Sequence, residues 1–311
     1  MLVTAGLGTR LAPLTDLLPK PAVPVCNRPI AWYALDHLRR AGVREFVLNT
    51  HHLAPQLEAA MRVAAPSDVS LSFVYEPEIL GTGGGVRNAW RPIEGETFLI
   101  MNGKYVFAPD IAGALRAHRE SGAIATMILK RTVAGDPLGQ VEIDGQGYVR
   151  RISGRPGSPE VTAAPYIYTG ISLFDARAHR DLPERGCLIR DAYWHWLERG
   201  ERVLAWVDSA DFRDVGRSLW HYWEANQALL IGATRWPGIA ADRDGNLFAS
   251  DVTVGAGARV HNSAVGVAAQ IARDARLERC VVWAGAHVSG EHANAIVLPD
   301  GRVVPAGSGK L

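Results

Sequence analysis

The chain has 311 residues, with 33 basic and 32 acidic side chains, a formal net charge of +1 and 48% apolar content. This is the balance of an ordinary globular protein of about two domains; it excludes a nucleic-acid binder that works by bulk electrostatics. No apolar run reaches the roughly 18 to 20 residues that span a bilayer, so no membrane partner is expected.

The N-terminus shows no charged segment followed by an apolar one, and no secretory leader is expected. The three cysteines, Cys26, Cys187 and Cys280, are odd in number and far apart. That argues against a disulfide framework and against a zinc site, and fits a cytoplasmic location. Only four basic residues are lysines, Lys20, Lys104, Lys130 and Lys310, so each lysine carries more information than usual.

In chain order, Leu2 to Ala5 predicts a short strand ending in glycine. Asn27 and Pro29 open a helix that places Ile30, Tyr33, Ala34, Leu38 and Ala41 on one face, and Gly42 closes it. Val43 to Leu48 predicts a strand and Leu53 to Val63 a second amphipathic helix, with Pro55 in its first turn. Val69 to Tyr75, Phe98 to Met101 and Ala123 to Leu129 predict further strands, and Asp110 caps the helix that starts after Pro109. Strand and helix in alternation predict an α/β, doubly wound, mostly parallel sheet over residues 1–235. Ligands of such sheets bind beyond the carboxyl ends of the strands, where this chain places its glycine-rich loops.

Residues 236–249, with Pro237 and the turn Asp242-Arg243-Asp244-Gly245, read as a linker. From 250 to 311 helical periodicity gives way to short aliphatic–glycine units. Val254, Ile271 and Val288 recur every 17 residues; Val260 and Leu277, and Val265 and Val282, keep the same offset. That period predicts a short left-handed parallel β-helix of hexapeptide repeats, in which stacked coils share one narrow core. The tail is expected to serve structure and assembly, in a homo-oligomer.

Residues 6–21 read Gly-Leu-Gly-Thr-Arg-Leu-Ala-Pro-Leu-Thr-Asp-Leu-Leu-Pro-Lys-Pro. Gly6 and Gly8 free the backbone for positive φ, and the N–H groups of Gly6, Leu7, Gly8 and Thr9 can form an anion nest. Arg10 offers a planar fork for phosphate oxygens. Lys20, between Pro19 and Pro21, carries an ammonium on a stiff backbone. The loop is not a Walker loop, since no Gly-Lys-Ser/Thr closes it, and it lacks the third glycine of a Rossmann fingerprint.

As a whole, the string resembles the signature of the sugar-1-phosphate nucleotidyltransferases without a mismatch. The resemblance continues. Glu76-Pro-Glu-Ile-Leu-Gly-Thr-Gly-Gly-Gly85 is similar to that family's base-binding loop, with Gly81, Thr82 and Gly83 at its centre. Asn102-Gly103 stands where the family has Asn-Gly-Asp; Gly139-Gln140-Val141 and Thr169-Gly170-Ile171 resemble its sugar-contacting segments; Asp214-Val215-Gly216 resembles its second metal aspartate. The resemblance implies the nucleotide-diphospho-sugar transferase fold. It implies a nucleoside triphosphate and a sugar 1-phosphate as substrates, with Arg10 on the departing pyrophosphate and Lys20 bridging the attacking phosphate and the α-phosphate. Nucleotide contacts would come from residues 6–9, 81–83 and 102–104, sugar contacts from Gly139, Arg155 and Thr169, and Mg²⁺ would be held by Asp214. The short tail and the Gly-Thr-Gly-Gly-Gly loop look most like the mannose-1-phosphate guanylyltransferase branch, with the uridylyltransferase branch acting on amino sugars close behind.

Two departures stand out. Lys104 occupies the place of the expected first metal aspartate, and Gly154-Arg155-Pro156 that of Glu-Lys-Pro at the sugar pocket. They keep open a second expectation: a catalytically weakened, sugar-nucleotide-binding regulatory subunit of the same fold. His51-His52 reads as a polar loop rather than a metal pair, since a metal site needs three or four converging ligands. The aromatic stretch of Tyr193, Trp194, Trp196, Trp220, Tyr222 and Trp223 reads as helix–sheet packing.

Overall fold

The computed structural model describes residues 1–91, 96–132, 139–157 and 165–307; Lys310 lies outside them. One nine-stranded sheet organises the first domain. Its strands are β1 (Leu2–Val3), β2 (Glu45–Thr50), β3 (Ser70–Tyr75), β4 (Thr97–Asn102), β5 (Ala125–Arg131), β6 (Val141–Ile143), β7 (Val149–Ile152), β8 (Tyr166–Asp175) and β9 (Val203–Val207). The order β4-β1-β2-β3 is parallel throughout, with Leu2 beside both Leu48 and Met101.

The other half departs from the parallel expectation. β8 runs antiparallel to β4 and to β5, so that Ile171 faces Met101 on one side and Ile128 on the other. β9 pairs parallel with β5, and the antiparallel pair β6–β7 joins through β6 to the start of β8. An antiparallel neighbour needs no crossover helix, and none separates β6, β7 and β8 among the described residues. The sheet is therefore mixed, with its parallel half carrying the glycine-rich loops.

Helices α1 (Ile30–Arg40), α2 (Ala54–Ala64), α3 (Gly81–Ala89), α4 (Ile111–Ser121), α5 (Trp194–Glu198) and α6 (Leu219–Leu230) accompany it. On one side Leu35, Leu38, Leu57 and Met61 pack with Phe46, Leu48 and Met101. On the other, Val86, Tyr193 and Trp196 pack with Ile100, Met127 and Phe174, so the first part of the aromatic stretch is core. The expected cap is present: Asp110 Oδ1 accepts the Gly113 N–H at 2.8 Å.

The tail forms three faces of short parallel strands, one of which ends with Val303–Pro305 antiparallel to Ala295–Val297. Val254 pairs with Ile271 and Ile271 with Val288; Val260 pairs with Leu277 and Val265 with Val282, the register that the period predicts. The last coil is shorter, since Leu277 pairs with His292 and Val282 with Val297. Val265, Ile271, Leu277, Val282 and Val288 fill the interior.

The expected linker is not a free tether. Leu247–Phe248 already pairs with Ala264–Val265 as the first rung of the coil. Trp236 is buried and donates its indole N–H to Asp36 Oδ2 at 2.8 Å. Tail and first domain then share one core, in which Leu11, Val23, Tyr33 and Tyr222 meet Val281, Trp283, Ile296 and Leu298. Trp283 donates to Tyr222 Oη at 3.0 Å, Tyr222 to Pro24 O at 2.7 Å, and Trp223 to Arg279 O at 2.8 Å. Among the described residues no helix is long and apolar enough to cross a membrane.

Candidate active site

β1, β2 and β4 end side by side, and their carboxyl ends deliver residues 4–20, 49–52 and 102–104 to one place. The loop after β1 folds back through short helical turns at Thr9–Leu11, Leu14–Asp16 and Lys20–Ala22. Leu11 and Leu14 are fully buried and anchor it, whereas Leu7 (51% exposed), Thr9 and Arg10 face solvent. Gly8 has φ +68°, and a Cβ there would come 2.9 Å from both Lys20 Cβ and Thr15 Cγ2. The loop can therefore close on Lys20 only through a residue without a side chain.

A buried network holds the start of this loop. Asn49 Oδ1 accepts the N–H of Thr4 at 2.8 Å and of Ala5 at 3.3 Å. Asn49 Nδ2 donates to Glu76 Oε1 at 2.7 Å, and Glu76 Oε2 accepts the Leu80 N–H at 3.1 Å. Asn49 and Glu76 thus tie the first glycine loop to the second. Asn49, isolated at a strand end, carries no sequence signal for that role. His51 and His52 bond the carbonyls of Glu76 and Thr15, at 2.8 and 3.1 Å, as loop fasteners.

The second glycine loop is the first turn of α3, pressed against residues 183–188. Gly83 donates to Gly186 O at 2.9 Å, and Thr82 Oγ1 accepts the Leu188 N–H at 2.9 Å. The Gly83 N–H is thereby committed within the chain, whereas the Thr82 hydroxyl accepts and keeps its own proton to donate; Gly81 begins the same turn.

Gly103 lies buried between Thr4 and Ala31, with its N–H on Val3 O at 3.1 Å. Asn102 is half-buried, its amide 3.5 Å from Tyr105 Oη. Immediately after, Tyr105–Phe107 pairs antiparallel with Phe212–Asp214, setting Tyr105 opposite Asp214. This ribbon brings together residues 110 apart in sequence: Lys104 Nζ donates to Asp214 Oδ2 at 2.8 Å. The same ammonium lies 4.6 Å from the centre of the Tyr105 ring.

Lys20 and Lys104 converge on one backbone segment, since a Cβ on Gly216 would sit 3.1 Å from Lys20 Cδ and 3.2 Å from Lys104 Cδ. Burial, then the charges of Lys104 and Arg10, lower the Lys20 pKa to about 8, with Asp214 opposing them. Burial also works against the Lys104 ammonium, but Tyr105 and the Asp214 carboxylate outweigh it and hold its pKa above the ordinary value. The cluster therefore holds Lys104 paired with the Asp214 carboxylate, Lys20 beside them, and Arg10 near enough to Lys20 to act on its charge.

Beside it opens a cavity of about 440 Å³, lined by Tyr105, Gln140, Tyr168, Asp214, Arg217 and His221 among others. Arg217 has no ion-pair partner among the described residues, while Arg213 is tied to Asp211 and Glu224. The expected sugar contacts divide. Gly139 is buried next to Gln140 on the cavity wall. Thr169 does not present its hydroxyl there: it is fully buried and donates to Ile128 O at 2.7 Å, across an irregularity in the β8–β5 pairing. Arg155 does not line the cavity; its guanidinium lies 4.8 Å from the centre of the Trp194 ring. Tyr168, Arg217 and His221 were not marked by the sequence pattern, although Arg217 directly follows Asp214-Val-Gly.

The profile of the nucleotidyl transferase family matches residues 1–231. The chain belongs to that family. Among curated relatives of this nucleotidyl transferase is a UTP–glucose-1-phosphate uridylyltransferase of Synechocystis, 29% identical over 77% of this chain and 66% of that protein, just under two thirds of its length. A mannose-1-phosphate guanylyltransferase of Mycobacterium tuberculosis is 26% identical over 93% of this chain and 80% of its own. The crystal structure of HddC from Yersinia pseudotuberculosis superposes with a TM-score of 0.61, at 23% identity, covering 73% of this chain and 96% of that one, which shows the shared fold.

The resemblance implies Mg²⁺ on Asp214, and the residues present test that assignment. Asp214 Oδ1 is buried without a hydrogen-bond partner, which favours a cation. Its other oxygen is taken by Lys104. Among the described residues no three His, Cys, Asp or Glu side chains converge on a common point. A divalent ion seeks several oxygen ligands; here a single carboxylate oxygen is left, among the charges of Lys104, Lys20 and Arg10. The donor set does not fit a divalent ion held by the protein.

Proposed function

We propose that this nucleotidyl transferase joins a nucleoside triphosphate to a sugar 1-phosphate, releasing pyrophosphate and an NDP-sugar, and that its substrates are those of a mannose-1-phosphate guanylyltransferase. The observation that carries the reading is the cationic cluster of Arg10, Lys20 and Lys104 at the carboxyl ends of β1 and β4, beside a cavity of sugar size. The finer assignment rests on the short tail and the Gly-Thr-Gly-Gly-Gly loop; the mycobacterial guanylyltransferase matches 93% of this chain, a share that a glucose-1-phosphate thymidylyltransferase of Streptomyces griseus equals. A cytoplasmic location belongs to the same reading; Cys26, Cys187 and Cys280 are all free thiols.

The chemistry needs little from the protein beyond position and charge. A phosphate monoester is already largely dianionic near neutral pH, its second pKa being about 6, so no general base is required. A sugar-phosphate oxygen attacks the α-phosphorus, and the bond from that phosphorus to the bridging oxygen of pyrophosphate breaks in line. The leaving pyrophosphate keeps the electron pair. Two polyanions must be brought together, and the cationic cluster screens their repulsion and stabilises the charge that gathers on the departing group. Arg10, exposed on the loop, faces the pyrophosphate; Lys20 sits between the two phosphates; Arg217 lies on the cavity wall where the sugar phosphate enters.

Lys104 in the place of a carboxylate also supports a second reading, a sugar-nucleotide-binding regulatory subunit with weakened catalysis. Pyrophosphate release measured across four nucleoside triphosphates and several sugar 1-phosphates separates the two. Turnover with GTP and mannose 1-phosphate above all other pairs is the expected result. Turnover with another pair overturns the substrate assignment, and NDP-sugar binding without turnover on any pair establishes the regulatory reading.

A further inference from the structure

Lys104 is the cation of the cluster held by a carboxylate from across the ribbon. Its side chain is 21% exposed and that of Asp214 25%, so the pair belongs to the cleft wall rather than to the core. We propose that the Lys104 ammonium, pinned by Asp214, occupies the position of a protein-held divalent cation and contacts the polyphosphate directly, which makes Lys104 a catalytic residue and Asp214 its positioning residue.

Three observations carry this. The first is placement: the ribbon of Tyr105–Phe107 with Phe212–Asp214 sets Lys104 beside Lys20, both stems against the backbone of Gly216. The second is donor arithmetic. An ammonium has three N–H groups; one is spent on Asp214, and the ammonium lies 4.6 Å from the centre of the Tyr105 ring, which leaves donors for a phosphate oxygen. The third is the charge balance. Arg10, Lys20 and Lys104 carry three positive charges against the one negative charge of Asp214, an excess of two that suits a polyphosphate and repels a free divalent ion. In the transfer Lys104 neither gives nor takes a proton; it holds a fixed positive charge near the oxygens of the departing pyrophosphate while the α-phosphorus exchanges one oxygen for another.

The inference rests on the nucleotidyl-transfer reading only in taking the anion to be a polyphosphate. Pyrophosphate, common to every base and sugar, is therefore the probe, and Mn²⁺ alone is the metal probe. The native chain is expected to bind pyrophosphate in the presence of a chelator and, by electron paramagnetic resonance, to bind no Mn²⁺ on its own up to about 1 mM. Lys104→Gln should weaken pyrophosphate binding in chelator about 10-fold or more, and Lys104→Arg should keep it within about 3-fold. Lys104→Asp should create Mn²⁺ binding and make pyrophosphate binding depend on it. Saturable Mn²⁺ binding to the native chain overturns the proposal, as does equal pyrophosphate binding by the native chain and Lys104→Gln. If Lys104→Gln melts at the assay temperature, the Mn²⁺ titration of the native chain decides alone. Absence of pyrophosphate binding under every condition overturns both this proposal and the nucleotidyl-transfer reading; absence confined to the chelator overturns only this one.

Discussion

The phosphate-facing cleft and the C-terminal coil are built on opposite principles. The cleft keeps unneutralised charge half-exposed on a stiff backbone: Lys20 stands between two prolines, Gly8 is held in the left-handed region, and Lys104 is clamped by Asp214. The coil stacks aliphatic side chains on a repeat and spends almost no charge inside. One stores electrostatic potential for a ligand, the other apolar burial for stability. They are nevertheless not separable modules, because Tyr222 and Trp283 join them through one core and a chain of hydrogen bonds.

The largest expected effect tests that junction. Trp283→Ala should cost about 3 to 5 kcal/mol of unfolding free energy, because a large buried side chain is lost from a packed interior. Truncation after residue 235 should leave no stable first domain, since it uncovers Tyr222 and Trp223. Chemical denaturation checks both, and a truncated chain with native melting behaviour would make the two regions independent after all.

Next in size are Arg10→Ala and Lys20→Ala. Each should lower turnover about 100-fold or more, roughly 2.7 kcal/mol of transition-state stabilisation, while unfolding free energy moves by about 0.5 kcal/mol or less. A loss of stability that matches the loss of rate would blur the division between the regions. Gly216→Ala is milder: its Cβ would meet both lysine stems at 3.1 to 3.2 Å, and those stems can yield. Turnover should fall about 10-fold with little change in melting, whereas an unchanged rate would show that the lysine positions are not set by this contact.

The smallest effect is a pH dependence. Lys20, facing Arg10, Lys104 and Asp214, has its pKa lowered to about 8. It is charged below that pH and neutral above it, so affinity for an NDP-sugar should be full near neutrality and fall a few-fold as pH rises through about 8. Lys20→Arg, which stays charged, should flatten the profile. The same slope in the native chain and in Lys20→Arg would assign it to another group.

Some of this was legible because it is local. The glycine loop is one continuous string whose turns, prolines and charges sit within 16 residues, and the family it resembles is the one that the profile matches. The coil was legible through its period, because stacking repeats one side-chain requirement at a constant offset. The antiparallel course of β8 was not, since a buried apolar strand reads the same in either direction. The rung at Leu247–Phe248 was lost because two residues carry no period.

The site divides along the same line. Sequence alone marked Arg10, Lys20 and Asp214, and marked Lys104 as the residue out of place. It did not tell where the Thr169 and Arg155 side chains turn, because motif position does not fix side-chain direction: one hydroxyl goes to a strand carbonyl, and one guanidinium to the Trp194 ring. What Lys104 does was decided only by tertiary structure. Its partner Asp214 lies 110 residues away, and their contact exists because one short antiparallel ribbon fixes the register between them. Composition and pattern specify which charges a chain carries; the distances between charges, on which every electrostatic effect depends, come from the packing of segments far apart in sequence.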